Sequence, residues 1–132
     1  MKRKSVVLIV EDNADTSQVI ALLLGVEGID IVTASNGLEA LEKSRSEKPD
    51  LIISDLMMPS MDGIEMIKAL RSDPICSNVP VVVYTAYGED LAAMAISAGA
   101  SGVIPKTQAP DLLLSLVKGL LAETNKQAAK KV

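Results

Sequence analysis

Two apolar runs in this chain end on acids: SVVLIV leads into Glu11 and Asp12, and LIIS leads into Asp55. Two others end on a hydroxyl and an amine, VVVY on Thr85 and GVIP on Lys106. An aliphatic run that stops on a polar group holds that group on a stiff stem, as strands do at the rim of a buried sheet. If the rims meet, Glu11, Asp12 and Asp55 share one pocket. Three carboxylates so close repel, and one would take up a proton unless a cation joined them. Mg²⁺ suits an all-oxygen set, because it accepts a few carboxylates, keeps several waters and leaves room for a phosphoryl group. Lys106 would balance the remaining charge as a mobile ammonium. A carboxylate held against a metal can attack phosphorus and form an acyl phosphate, with the metal screening incoming charge. Asp55 is the residue whose setting fits that role.

The elements that must carry these groups alternate along the chain. Residues 5–10, 29–34, 50–54, 79–84 and 101–105 are short, β-branched runs expected to be strands. Helical spacing is expected over 15–26, 37–46, 64–71, 88–98 and 110–122. Three of the strand runs are apolar throughout, as when helices cover both faces of a parallel sheet. This (βα)₅ order predicts an α/β, doubly wound sheet with right-handed crossovers. If the strand order is 2-1-3-4-5, the first and third strands are neighbours and their terminal acids converge. Gly28, Gly37, Gly63, Gly99 and Gly102 fall at joints, where positive φ is often needed. One domain is expected over 1–122, with 123–132 a frayed helix end or flexible tail.

Composition closes several classes. There is no histidine, which excludes a phosphohistidine donor, a Ser-His-Asp triad and a His-ligated zinc within these residues. The net charge of −4 offers no basic footprint for nucleic acid. No apolar run reaches membrane-spanning length, and MKRKSVVLIVEDN turns acidic too soon for a signal peptide, so a cytoplasmic location is expected. The single Cys76, expected in a loop after a helix, allows no internal disulfide and fits a reducing compartment. With Tyr84 and Tyr87 the only aromatic residues, the core must be aliphatic.

The segments LIVEDN, PDLIISDLMMPSMDG, VVVYTA and GVIPKT resemble the motifs of the response-regulator receiver family of two-component signalling, and the spacings between them match as well. The likeness covers residues 5–122. It implies a flavodoxin-like fold with strand order 2-1-3-4-5. It also implies that Asp55 accepts a phosphoryl group from a histidine kinase or histidine phosphotransfer protein. Glu11, Asp12, Asp55 and the backbone carbonyl of Met57 would bind Mg²⁺. Thr85 would hydrogen-bond the phosphoryl oxygens, and Lys106 would pair with them. Such a module switches contacts with a downstream protein or passes the group along a phosphorelay, with no activity beyond self-phosphorylation and self-dephosphorylation.

The chain departs from the family pattern at two places. The aromatic residue three positions before the lysine is here Val103, and Pro105 precedes Lys106 where a proline often follows it. Met57 and Tyr87, two residues after the acceptor and the threonine, are expected to shield the acyl phosphate from water. On the fifth helix, Leu112, Leu113, Leu116, Val117 and Leu120 form one stripe, with Leu114 and Leu121 off its centre. That stripe is either a wide buried face or, beside the Ala-rich fourth helix, a docking surface for a homodimer or another protein. Taken singly, Asp12 and Thr85 could be helix caps and Lys106 a solvated charge. Asp62-Gly63 reads as a turn pair and the loop methionines as packing.

Three other functions compete. An aspartyl phosphatase needs a second acid where Met57 stands. A flavin or nucleotide module needs a glycine-rich loop where EDNADTS stands. A phosphate-independent interaction domain with a vestigial acceptor is kept open by Val103. A receiver cut from a larger regulator would read the same.

Overall fold

The computed structural model describes residues 4–58, 61–86, 89–107 and 110–130, without the side chains of 125–130. Five strands alternate with five helices: β1 Val6–Val10, α1 Ala14–Val26, β2 Asp30–Ala34, α2 Gly37–Glu47, β3 Leu51–Ser54, α3 Gly63–Ser72, β4 Val81–Thr85, α4 Glu89–Ala98, β5 Gly102–Pro105 and α5 Pro110–Lys130. The strands form one parallel sheet in the order β2-β1-β3-β4-β5. The architecture is therefore the doubly wound α/β sheet that the alternation predicts.

Side-chain alternation divides the interior into two aliphatic layers. Leu8, Val10, Ile52, Val81 and Val83 face Ala40, Met66, Ile67, Leu70 and Ala95 of α2, α3 and α4. Val7, Ile9, Leu51, Ile53, Val82 and Tyr84 face Ile20, Leu24, Leu113, Val117 and Leu121 of α1 and α5. Strands β3 and β4 are buried throughout and β1 nearly so, whereas the edge strands β2 and β5 are partly exposed. Each buried Val, Leu or Ile contributes about 1.5–3 kcal/mol, so the central strands anchor the rim on which the polar groups sit.

Local chemistry differs from expectation at several places. The row that α5 buries is Leu113, Val117 and Leu121, while Leu112 is half exposed. Leu114, Leu116 and Leu120 are partly buried against the same layer, so the buried face is wide and of the expected stripe Leu112 turns outward. Helix α5 continues to Lys130, through residues expected to fray. Asp62 is the N-cap of α3 and accepts from the Glu65 amide at 2.8 Å, so it is more than a turn residue. Asn13, not Asp12, caps α1, accepting from Thr16 N at 3.0 Å. Strand β4 starts at Val81, after Pro80, two residues later than the apolar run suggests. Cys76 is buried in the turn after α3. Arg71, which the sequence did not single out, donates to the carbonyls of Gly99, Ser77 and Val79 and ties α3 to the turns on either side of α4 and β4.

Among the joint glycines, only Gly28 and Gly99 have positive φ, at 77° and 118°. Gly63 is required for a different reason. A Cβ there would lie 2.5 Å from the Asp55 carbonyl oxygen and 2.8 Å from Leu56 Cα. Its own N–H donates to Leu56 O at 2.8 Å, closing the loop that follows β3. Backbone cannot move aside as a side chain can. Gly63→Ala is therefore expected to lower stability by about 3 kcal/mol, measured as a lower urea midpoint at unchanged slope.

Candidate functional site

Register determines which groups meet. Val10 pairs with Ser54, so the next residues on these neighbouring strands, Glu11 and Asp55, stand side by side. The Asp55 N–H donates to Val10 O at 3.1 Å and that of Glu11 to Ala34 O at 3.0 Å, fixing both backbones to the sheet. Thr85 pairs with Pro105, and the Lys106 N–H donates to Thr85 O at 2.7 Å. Four strand ends thus deliver Glu11, Asp55, Thr85 and Lys106 to one rim.

The Lys106 ammonium lies between the two acids, with Nζ 3.0 Å from Glu11 Oε2 and 2.9 Å from Asp55 Oδ2. Both carboxylates are buried, and the lysine is only partly exposed. Backbone donors reach the other oxygen of each acid: Leu56 N–H donates to Asp55 Oδ1 at 2.7 Å, and Asn13 N–H to Glu11 Oε1 at 3.2 Å. Met57 N lies 3.5 Å from Asp55 Oδ1, which sets the Met57 backbone beside the acid while its side chain is half exposed. Thr85 is wholly buried at the end of β4. Asp12 is exposed, yet one oxygen from each of Glu11, Asp12 and Asp55 lies within 4.8 Å of the others.

Electrostatics follow from that crowding. Burial pushes the Glu11 carboxyl above its ordinary range, and the charge of Asp55 adds to the effect, while the Lys106 hydrogen bond works against it. Burial also works to lower the Lys106 ammonium. The bonds from Asp55 and Glu11 outweigh it and hold the group above its usual value. An all-carboxylate set with one exposed member and too little positive charge fits a hard divalent cation better than a soft one.

The sequence reading thus finds its acids, hydroxyl and amine on one rim, and Lys106 bonds Glu11 as closely as it bonds Asp55. Tyr87 and Pro59 lie outside the described residues, so of the expected shield only Met57 can be located. Val103 packs in the layer facing α2, α3 and α4. No described peptide bond is cis, so Ile104–Pro105 is trans. One contributor escaped the sequence reading: the Tyr84 ring lies beneath Lys106, its centroid 5.9 Å from Nζ.

Residues 7–118 match the family model of the response regulator receiver domain. The chain belongs to that family. Among curated proteins, this receiver is 39% identical over 118 residues to the transcriptional regulatory protein CpxR homolog of Haemophilus influenzae, covering 89% of this chain and 50% of that protein. It is 40% identical over 119 residues to hybrid signal transduction histidine kinase D of Dictyostelium discoideum, covering 89% of this chain and 8% of that one. Among solved structures, the chemotaxis response regulator CheY4 of Vibrio cholerae superposes with a TM-score of 0.83 at 30% identity, covering 89% of this chain and 99% of that one. The receiver spans half the length of the first curated relative and a small part of the second. No described helix is long and apolar enough to cross a membrane.

Removing Lys106 tests the electrostatic account. Lys106→Met leaves two adjacent buried acids without a counter-charge and is expected to cost about 2 kcal/mol at neutral pH, less than a fully buried pair because the lysine is partly exposed. A carboxyl whose folded pKa is raised supports folding below its unfolded value and loses that support as pH rises through the folded value. Without the lysine, Glu11 should rise further. The variant's urea midpoint should therefore approach the parent's as pH falls from about 7 to about 5.

Proposed function

We propose that Asp55 is the phosphoryl acceptor of a two-component signalling switch. The observation that supports this most directly is the buried Asp55 carboxylate with Glu11 on one side, Lys106 bonded to both, and Asp12 within reach. The 132 residues include no histidine, so the donor lies outside them, in a histidine kinase or histidine phosphotransfer protein. In the transfer, the P–N bond of the donor phosphohistidine breaks with its electron pair left on the imidazole, and a bond forms between an Asp55 carboxylate oxygen and phosphorus. Little covalent help is needed for such a transfer, and positioning and charge supply most of the catalysis.

Each residue has a stated task. Asp55 is held by its backbone bond to Val10 and by the Leu56 N–H, so its carboxylate is pre-aimed. Glu11, Asp12, Asp55 and the Met57 carbonyl would hold Mg²⁺, which when bound neutralises the acids and the incoming phosphoryl oxygens. Lys106 leaves the carboxylates and pairs with those oxygens. Thr85, at the tip of β4, donates its hydroxyl to another of them. Met57 stands at the exposed edge, where it hinders water from hydrolysing the acyl phosphate.

The output is a protein contact or a relay step. On this reading the receiver spans residues 1–122, and α5 continues past that bound to Lys130. Because the chain spans half the length of its CpxR-like relative, a fragment of a larger regulator is as compatible with this reading as a stand-alone switch. A homodimer through α4 and α5 would draw on Met94, Ile96 and Leu112, each about half exposed. A vestigial acceptor is disfavoured, because Lys106 bonds Asp55 and Glu11 together and Asp12 lies within reach of both acids.

Incubation with acetyl phosphate and Mg²⁺ should add one phosphoryl group, read by intact mass. Asp55→Asn or removal of the metal by chelation should abolish the addition. Uptake that survives Asp55→Asn would assign the acceptor elsewhere.

A further inference from the structure

Both oxygens of Asp55 are engaged, Oδ1 by the Leu56 N–H at 2.7 Å and Oδ2 by Lys106 Nζ at 2.9 Å. A phosphoryl group arriving at Oδ2 brings oxygens that compete with the carboxylates for the ammonium and draw it from its present position. The ammonium is also in contact with a ring. Tyr84 lies beneath it at 5.9 Å, close enough for attraction between a cation and the ring face. Displacing Lys106 therefore removes one of the forces that orient Tyr84.

The ring has somewhere to go. A cavity of about 350 Å³ opens beside it, between α1 and α5, lined by Tyr84, Lys106, Ile20, Leu23, Pro110 and Leu113. Tyr84 is mostly buried and belongs to the layer that faces those two helices. It also precedes Thr85 directly, so a shift of the Thr85 backbone carries Tyr84 with it. On the opposite face of the sheet, Val83 and Val103 pack among aliphatic groups and offer no ring to turn.

We propose that Tyr84 couples the acceptor carboxylate to the α1–α5 face, with Lys106 as the link, so that the conformational response to phosphorylation appears at that face and not at β5. The coupling rests on Asp55 accepting a phosphoryl group. It makes Tyr84 a positioning residue: it touches neither donor nor phosphorus, and acts through Lys106.

The test uses the full chain with acetyl phosphate and Mg²⁺, and compares it with Tyr84→Phe and Tyr84→Leu. Intact mass reads phosphoryl uptake, and amide hydrogen exchange reads the response. In the parent and in Tyr84→Phe, phosphorylation should change exchange in residues 14–26 and 110–124 by about five-fold or more. In Tyr84→Leu, uptake should persist while that change disappears. A response confined to α4 and β5 in the parent, or one retained in Tyr84→Leu, overturns the coupling. Should Tyr84→Leu fold poorly, 3-fluorotyrosine labelling of the parent gives a direct readout, since the chain has two tyrosines and Tyr87→Phe assigns them. The Tyr84 resonance should move on phosphorylation, and a stationary one overturns the proposal. Absence of phosphoryl uptake by the parent overturns the acceptor reading instead, and this coupling with it.

Discussion

One ammonium between two buried carboxylates is the constraint around which the rim of this molecule is arranged. The pairing of Val10 with Ser54 leaves Glu11 and Asp55 no choice but to stand abreast, and the hydrogen bonds of the sheet keep them there. Like charges at that separation, out of water, oppose folding unless something positive lies between them. Lys106 does so from the far side of β4, and its backbone is tied to Thr85 for the purpose. With Asp12 also within reach, three carboxylates face one ammonium, so the compensation is incomplete. An incompletely neutralised site is a poor source of stability and a good receptor for a cation or for a group that brings one.

The rest of the fold makes that arrangement tolerable. Leu8, Ile9, Ile52, Ile53, Val82 and Val83 are almost wholly excluded from solvent, and their burial offsets the strain at the rim. The division of labour is spatial: the strand interiors contribute stability, and the strand ends use some of it. Gly63 links the two, because the loop after Asp55 folds back so tightly that only a residue without a side chain fits.

Much of this was legible in the sequence because it depends on patterns of short range. Apolar runs broken by glycines gave the strands and their order along the chain, and the polar residues ending those runs gave the rim. What was not legible depends on which atoms meet. Gly63 reads as a turn glycine until the distance to the Asp55 carbonyl is known. On α5 the spacing puts Leu112 in the stripe and Leu121 off its centre, and only packing against the sheet shows that Leu121 is buried and Leu112 half exposed. That Lys106 would bond Glu11 as well as Asp55 depends on the β1–β3 register, which no pattern within one strand encodes. The role of Arg71 was hidden for the same reason, because its partners are carbonyls, which every residue carries.

The same geometry bears on how such a site can signal. A switch needs a group that has two places to be and a reason to leave the first. Lys106 has the first place in the carboxylates, where it is well bonded, and phosphoryl oxygens would offer a second with more negative charge. The loss of its present contacts then becomes informative to whatever else touches it. Among the described residues, the aromatic side chain that touches it is Tyr84, which points away from Val103 and toward α1 and α5. Replacing an aromatic residue with valine on β5 therefore need not silence the domain. The ring-bearing part of the rim lies on the other side of the sheet, beside a cavity lined by α1 and α5.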